Sequence, residues 1–169
     1  MRLLVCGGAG FIGSTFVRLR LREQGDEITV LDKLTYAGRK ETLEDVIGEI
    51  RFIHGAIEDP AAVADAVERC EAIVNFAAET HVDRSISGPE AFTITNMQGT
   101  HTLLEAARER RLRYVQVSTD EVYGSIEEGS FTEESPLAPS SPYSATKAGA
   151  DLLVSCYHHT YGLRASICR

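Results

Sequence analysis

The segment LLVCGGAGFIG at residues 3–13 constrains this chain more than any other stretch. It places glycines at 7, 8, 10 and 13 after an apolar β-rich run and before a helical one. The spacing satisfies GxGxxG through Gly8, Gly10 and Gly13, and GxxGxxG through Gly7, Gly10 and Gly13. A strand that turns abruptly into a helix needs residues tolerant of positive φ, and a bound pyrophosphate needs backbone without a Cβ in its way. The helix start then offers unpaired N–H groups to an anion. A second apolar run ends in Asp32, nineteen residues past Gly13, the separation expected of a carboxylate that holds a ribose hydroxyl. A tight turn with no ligand is the plain alternative. Asp32 would repel a 2′-phosphate, so the pattern favours NAD over NADP, with Lys33 beside it softening that preference.

Further along, short β-rich runs alternate with helical stretches. Strands are expected at Leu3–Cys6, Ile28–Leu31, Arg51–His54, Ala72–Asn75, Tyr114–Val117 and Arg164–Ile167. Helices are expected over Phe11–Gln24, Ala61–Arg69, Pro89–Arg110 and Pro142–Tyr161, with a short one near Arg39–Ile47. This alternation predicts an α/β fold, a Rossmann-like doubly wound parallel sheet of about six strands with helices on both faces. A length of 169 residues suits one domain, residues 1–169. Ser125–Pro139, with Gly129, two prolines and four glutamates, reads as a surface loop.

A net charge of −8 argues against a nucleic-acid partner. The basic cluster Arg108–Arg113 falls at a predicted helix end, where positive charge suits the macrodipole. With no long apolar run and no leader pattern, the chain reads as soluble and cytoplasmic, without a membrane partner. Cys6, Cys70, Cys156 and Cys168 show no CxxC spacing and are expected as buried free thiols. His81, His101, His158 and His159 fit no metal-ligand spacing, and YHHTYG reads as a helix end with Gly162 just beyond it. No metal is expected.

Two stretches carry chemistry. In SPYSATK, Ser141 can cap a helix and Pro142 suits its first position, which puts Tyr143 and Lys147 one turn apart on one face. A phenol beside a cation in the first turn should have its pKa lowered and could serve as a general base. VSTDEVYG places Asp120 and Glu121 side by side at the end of an apolar strand. Successive strand side chains point to opposite faces, so both acids serve one pocket only if the chain leaves the strand near Ser118. The plain alternatives are an ordinary amphipathic pair and a solvated strand exit.

The stretches GGAGFIG, FAAETHVDRS, VSTDEVYG and SPYSATKAGADLL resemble the extended short-chain dehydrogenase/reductase superfamily, and within it the dTDP-glucose 4,6-dehydratases. The likeness spans the whole chain. It implies a lyase of deoxysugar biosynthesis that converts a nucleoside-diphosphate glucose into the 4-keto-6-deoxy sugar, with NAD as cofactor. By that resemblance Tyr143 takes the O4 proton, and Lys147 holds the cofactor ribose. Glu121 removes the C5 proton, Asp120 protonates the departing C6 hydroxyl, and Thr119 bonds near O4. Gly7, Gly10, Phe11, Ile12 and Gly13 would cradle the pyrophosphate, and Asp32 would hold the ribose. Lys33, Leu34, Thr35, Gly38 and Ile57 would meet the adenosine end, Ala77 and Ala78 would line the cofactor, and Thr80 would meet substrate. HGAIED departs from the family pattern, with Ala56 where an aspartate is usual. The family continues for about as many residues again, so the chain is expected to lack a last strand and a substrate domain. A homodimer through helices Pro89–Arg110 and Pro142–Tyr161 is also implied. The alternatives are an epimerase or decarboxylase of the same fold, disfavoured by Asp120-Glu121, and a non-catalytic NAD-binding module.

Overall fold

The computed structural model describes residues 1–169. Six strands run β1 Arg2–Cys6, β2 Glu27–Asp32, β3 Ile50–His54, β4 Ala72–Asn75, β5 Arg113–Val117 and β6 Ala165–Cys168. They form one parallel sheet in the order β3-β2-β1-β4-β5-β6. The order reverses between β1 and β4, and a crevice opens there at the carboxyl ends of the strands. In β1 the side chains alternate between two cores. Leu3 and Val5 join Val17, Ile28 and Val30 on one face, and Leu4 and Cys6 join Leu31, Ile73 and Leu104 on the other. That explains the apolar runs without alternation, because β1 and β4 are covered on both sides. Coverage thins toward the edge, where Ser166 and Cys168 of β6 are exposed.

The helices are α1 Phe11–Gln24, α2 Pro60–Ala66, α3 Val82–Ser87, α4 Glu90–Phe92, α5 Thr100–Arg110 and α6 Pro142–Tyr161. The bounds of α1 and α6 match the sequence reading because their ends are written locally. Gly25 and Gly162 close them in the left-handed region, at φ 59° and 68°. Ser141 and Ser144 exchange the two hydrogen bonds of a capping box. Other elements differ from expectation. The Pro89–Arg110 helix is not uniformly α: a π-helical segment, Thr93–Gly99, separates α4 from α5. Helix α2 starts one residue earlier than expected and stops at Ala66. The Arg39–Ile47 helix is replaced by two 3₁₀ turns, Lys40–Leu43 and Ile47–Glu49. Helix α3 had no counterpart in the reading, since its six residues are too few to show a period. All four cysteines are free, but only Cys6 is buried; Cys70 is partly covered, and Cys156 and Cys168 are exposed. No helix is long and apolar enough to cross a membrane.

Candidate active site

The glycine turn that leaves β1 is shaped first by its own packing. Gly7 has φ +73°, and a Cβ there would lie 2.6 Å from the Ala77 nitrogen. A Cβ on Gly13 would lie 2.2 Å from the Gly7 carbonyl oxygen, and one on Gly8 would meet Val30 at 2.8 Å. Gly10 is less constrained, with its nearest contact at 3.3 Å, and it lines the crevice. Helix α1 begins at this point with no side-chain cap. Its first N–H groups are thus free for an anion.

Asp32, at the end of β2, is buried at 8% exposure. Its carboxylate accepts from the Ala9 nitrogen at 2.9 Å and from the Leu34 nitrogen at 2.9 Å. Leu34 adopts a left-handed φ of 54° to make that bond. A Cβ on Gly38 would sit 2.6 Å from the same carboxylate, so DKLTYAG is folded around Asp32. Next to it, Lys33 Nζ pairs with Glu58 Oε1 at 2.5 Å, while Glu58 Oε2 is buried without a partner.

One cleft of about 340 Å³ collects most of the predicted residues: Gly7, Gly10, Phe11, Ile12, Gly13, Asp32, Lys33, Thr35, Gly38, Ile57, Ala77, Ala78, Thr80, Tyr143 and Lys147. Leu34, Thr119, Asp120 and Glu121 do not line it. Leu34 acts from behind, through Asp32. The other three sit beside the mouth. Strand β5 stops at Val117, Thr119 is extended, and a 3₁₀ turn over Asp120–Tyr123 carries both acids in its first turn. The Thr119 hydroxyl accepts from the Glu121 nitrogen at 3.2 Å and donates to Asp120 Oδ1 at 3.3 Å, close to the Tyr143 phenol. The chain therefore leaves the strand where two adjacent acids require it to, and the negative charges of both Glu121 and Asp120 reach Tyr143.

The electrostatics correct one expectation. Burial pushes the Tyr143 phenol above its ordinary pKa; the neighbouring Thr119 hydroxyl opposes this, and Glu121 and Asp120 add to the rise. Lys147 does not bring it down. Its ammonium donates to the Val117 carbonyl at 2.7 Å, and burial lowers its own pKa to about 8, against the pull of Asp151. Helix spacing placed Lys147 on the right face but could not show which acceptor its nitrogen would find.

Sequence reasoning missed several residues here. Asn96, in the π-helical segment, accepts from the Glu79 nitrogen at 2.9 Å and donates to the Glu79 oxygen and to Thr146 Oγ1, both at 3.0 Å. It ties the Ala78–Thr80 wall of the cleft to α6. Ser118 and Glu58 also line the cleft. No local pattern marks these three, because each acts through a partner far away in sequence. No group of three or more His, Cys, Asp or Glu is placed to hold a metal ion.

Comparison with known proteins places this geometry. Residues 4–169 match the family described as GDP-mannose 4,6 dehydratase. The chain belongs to that family. Among curated relatives, the low-salt glycan biosynthesis protein Agl12 of Haloferax volcanii is 55% identical, over 100% of this chain and 56% of its own length. Among solved structures, the dTDP-glucose 4,6-dehydratase DesIV of Streptomyces venezuelae, with NAD and TYD bound, superposes with a TM-score of 0.95 at 55% identity, covering 99% of this chain and 54% of that one. A Thermus thermophilus UDP-glucose 4-epimerase in complex with NAD reaches a TM-score of 0.91 at 36% identity, over 100% of this chain and 54% of that one. The chain spans a little over half the length of these family relatives.

Proposed function

We propose that this chain carries the cofactor-binding and acid–base half of an NAD-dependent lyase that dehydrates dTDP-glucose, or a related nucleoside-diphosphate glucose, to the 4-keto-6-deoxy sugar. The observation that supports it most is the pair Asp120 and Glu121, set by a 3₁₀ turn beside Tyr143. Loss of water across two adjacent carbons needs a base at one and an acid at the other. An epimerization at one carbon has no use for that pair.

The residues present fit NAD. A carboxylate already oriented by two backbone N–H groups suits a ribose diol, and the uncapped start of α1 behind Gly10 suits a pyrophosphate. Gly7, Phe11, Ile12 and Gly13 would complete the phosphate cradle. Lys33, Leu34, Thr35, Gly38 and Ile57 would take the adenosine end, with Ala77 and Ala78 along the wall. When bound, NAD⁺ supplies a hydride acceptor that is regenerated within one turnover. Tyr143 takes the proton of the sugar O4 hydroxyl, with Thr119 holding that oxygen and Lys147 beside the cofactor ribose. The C4 carbonyl so formed acidifies the C5 proton, which Glu121 removes. Asp120 gives its proton to the C6 hydroxyl as that leaves as water. Thr80 contacts the sugar. Residues 1–169 would act as one domain, in the cytoplasm, within a homodimer.

The test is Glu121→Gln, which keeps shape and removes a proton acceptor. Given dTDP-glucose in deuterated water, the variant should incorporate deuterium at C5 about 10²–10⁴-fold more slowly than wild type, with NAD affinity unchanged. C5 exchange near the wild-type rate would return the acidic pair to a solvated strand exit.

A further inference from the structure

We propose that Asp151 is a positioning residue for the Tyr143–Lys147 pair: it clamps the exit of β5 through Ser118 and supplies the buried counter-charge of Lys147. The inference rests on Tyr143 and Lys147 being the reacting pair proposed above.

Asp151 is 0% exposed and lies one helical turn beyond Lys147 on α6. Its Oδ2 accepts from Ser118 Oγ at 2.9 Å and from Arg169 Nε at 2.8 Å. Its Oδ1 is buried with no partner. Ser118 sits between two residues that the site depends on. Val117 holds the Lys147 ammonium by its carbonyl, and Thr119 sets its hydroxyl beside the Tyr143 phenol. Fixing Ser118 therefore fixes both neighbours against α6. Arg169 completes the corner by donating from Nη1 to the Tyr143-side turn at the Tyr123 hydroxyl, 2.9 Å away.

A carboxylate with a free oxygen is costly in such a place unless its charge is used. Other charged or titratable groups around the corner are Tyr143 on α6, Arg169 after β6, the buried Tyr114 of β5, and Asp120, Glu121 and Tyr123 in the turn after β5. From the π-helical side come Asn96 and, just before it, Phe92, which carry no charge. Burial drives the Lys147 ammonium toward neutrality, and Asp151 is the group that opposes it. Arg169 tempers Asp151 in turn.

The two partners thus predict shifts of opposite sign. The chain has only three lysines, Lys33, Lys40 and Lys147, so Lys147 is readily resolved by NMR of ¹³Cε-labelled protein. Asp151→Asn should lower its titration midpoint by about one pH unit or more, and Asp151→Glu should restore most of that loss. Arg169→Gln should raise the midpoint. General loosening of the corner cannot move it both ways. A midpoint unmoved in both Asp151→Asn and Arg169→Gln overturns the proposal. Should Asp151→Asn not fold, Arg169→Gln decides alone: a rise supports the counter-charge, and no change removes it. The midpoint is read without cofactor or substrate, so it stands apart from calorimetry with NAD, whose failure would count against the dehydratase reading instead.

Discussion

At the scale of single residues, Asp32 shows how a local motif stores a binding preference. Its two oxygens are oriented by the Ala9 and Leu34 nitrogens before any ligand arrives. The fixed negative charge is what should separate NAD from its 2′-phosphorylated form. Wild-type protein should bind NAD in clear preference to NADP, and Asp32→Asn should weaken NAD about 10–100-fold while narrowing the gap, since a hydrogen bond to a charged group is worth about 1.5–3 kcal/mol. Calorimetry with both cofactors measures this, and equal wild-type affinities would remove the role given to Asp32. Residues of this kind were legible in the sequence because their pattern is local: Gly7, Gly10, Gly13 and Asp32 fall at fixed spacings along one strand–turn–helix–strand unit. Asn96, Ser118 and Asp151 were not legible, because each is defined by a partner 17 or more positions away. The acidity of Tyr143 was misjudged for the same reason, since the Val117 carbonyl that holds Lys147 is 30 residues distant.

Among the elements, the π-helical segment Thr93–Gly99 departs most from the sequence reading. Its side chains keep a helical pattern, and only tertiary packing reveals the wider turn. The segment turns Asn96 inward and sets Gly99 against Ile57, where a Cβ would come within 2.5 Å of Ile57 Cγ1. Ile57 is itself buried and lines the cleft. Gly99→Ala should thus push Ile57 toward the adenosine end, costing about 1–3 kcal/mol of stability. It should also weaken NAD several-fold without touching the cofactor. Thermal unfolding and calorimetry together check this; a lowered Tm with unchanged NAD affinity would show that the displacement relaxes elsewhere. Strands and capped helices, by contrast, were found almost to the residue. Their signals are apolar runs, Gly25, Gly162 and the Ser141-Pro142 start, all written within the element.

For the molecule as a whole, α6 is divided lengthwise. Tyr143, Lys147, Asp151 and Val154 are buried, while Leu152 is 60% exposed and Tyr161 56% exposed. An exposed leucine on a long helix fits the proposed homodimer, in which α6 meets its own copy. Leu152→Asp should shift the sedimentation equilibrium toward monomer at unchanged secondary structure. A wild-type chain that stays monomeric at high concentration would contradict the assembly. Sheet order is the other large-scale feature, and it also has a consequence in time. Strand β4 pairs with β1 on the side away from β2 and β3, although both precede it in the chain. The residues assigned to the pyrophosphate and the ribose carboxylate all precede residue 39, and those assigned to proton transfer all follow residue 118. On a ribosome the residues assigned to the nucleotide are made first, but a domain generally folds as a unit, so they wait for β4, β5 and α6. The turn at Gly7 packs against Ala77, just beyond β4, so the cofactor cradle takes its shape together with the rest of the domain rather than ahead of it.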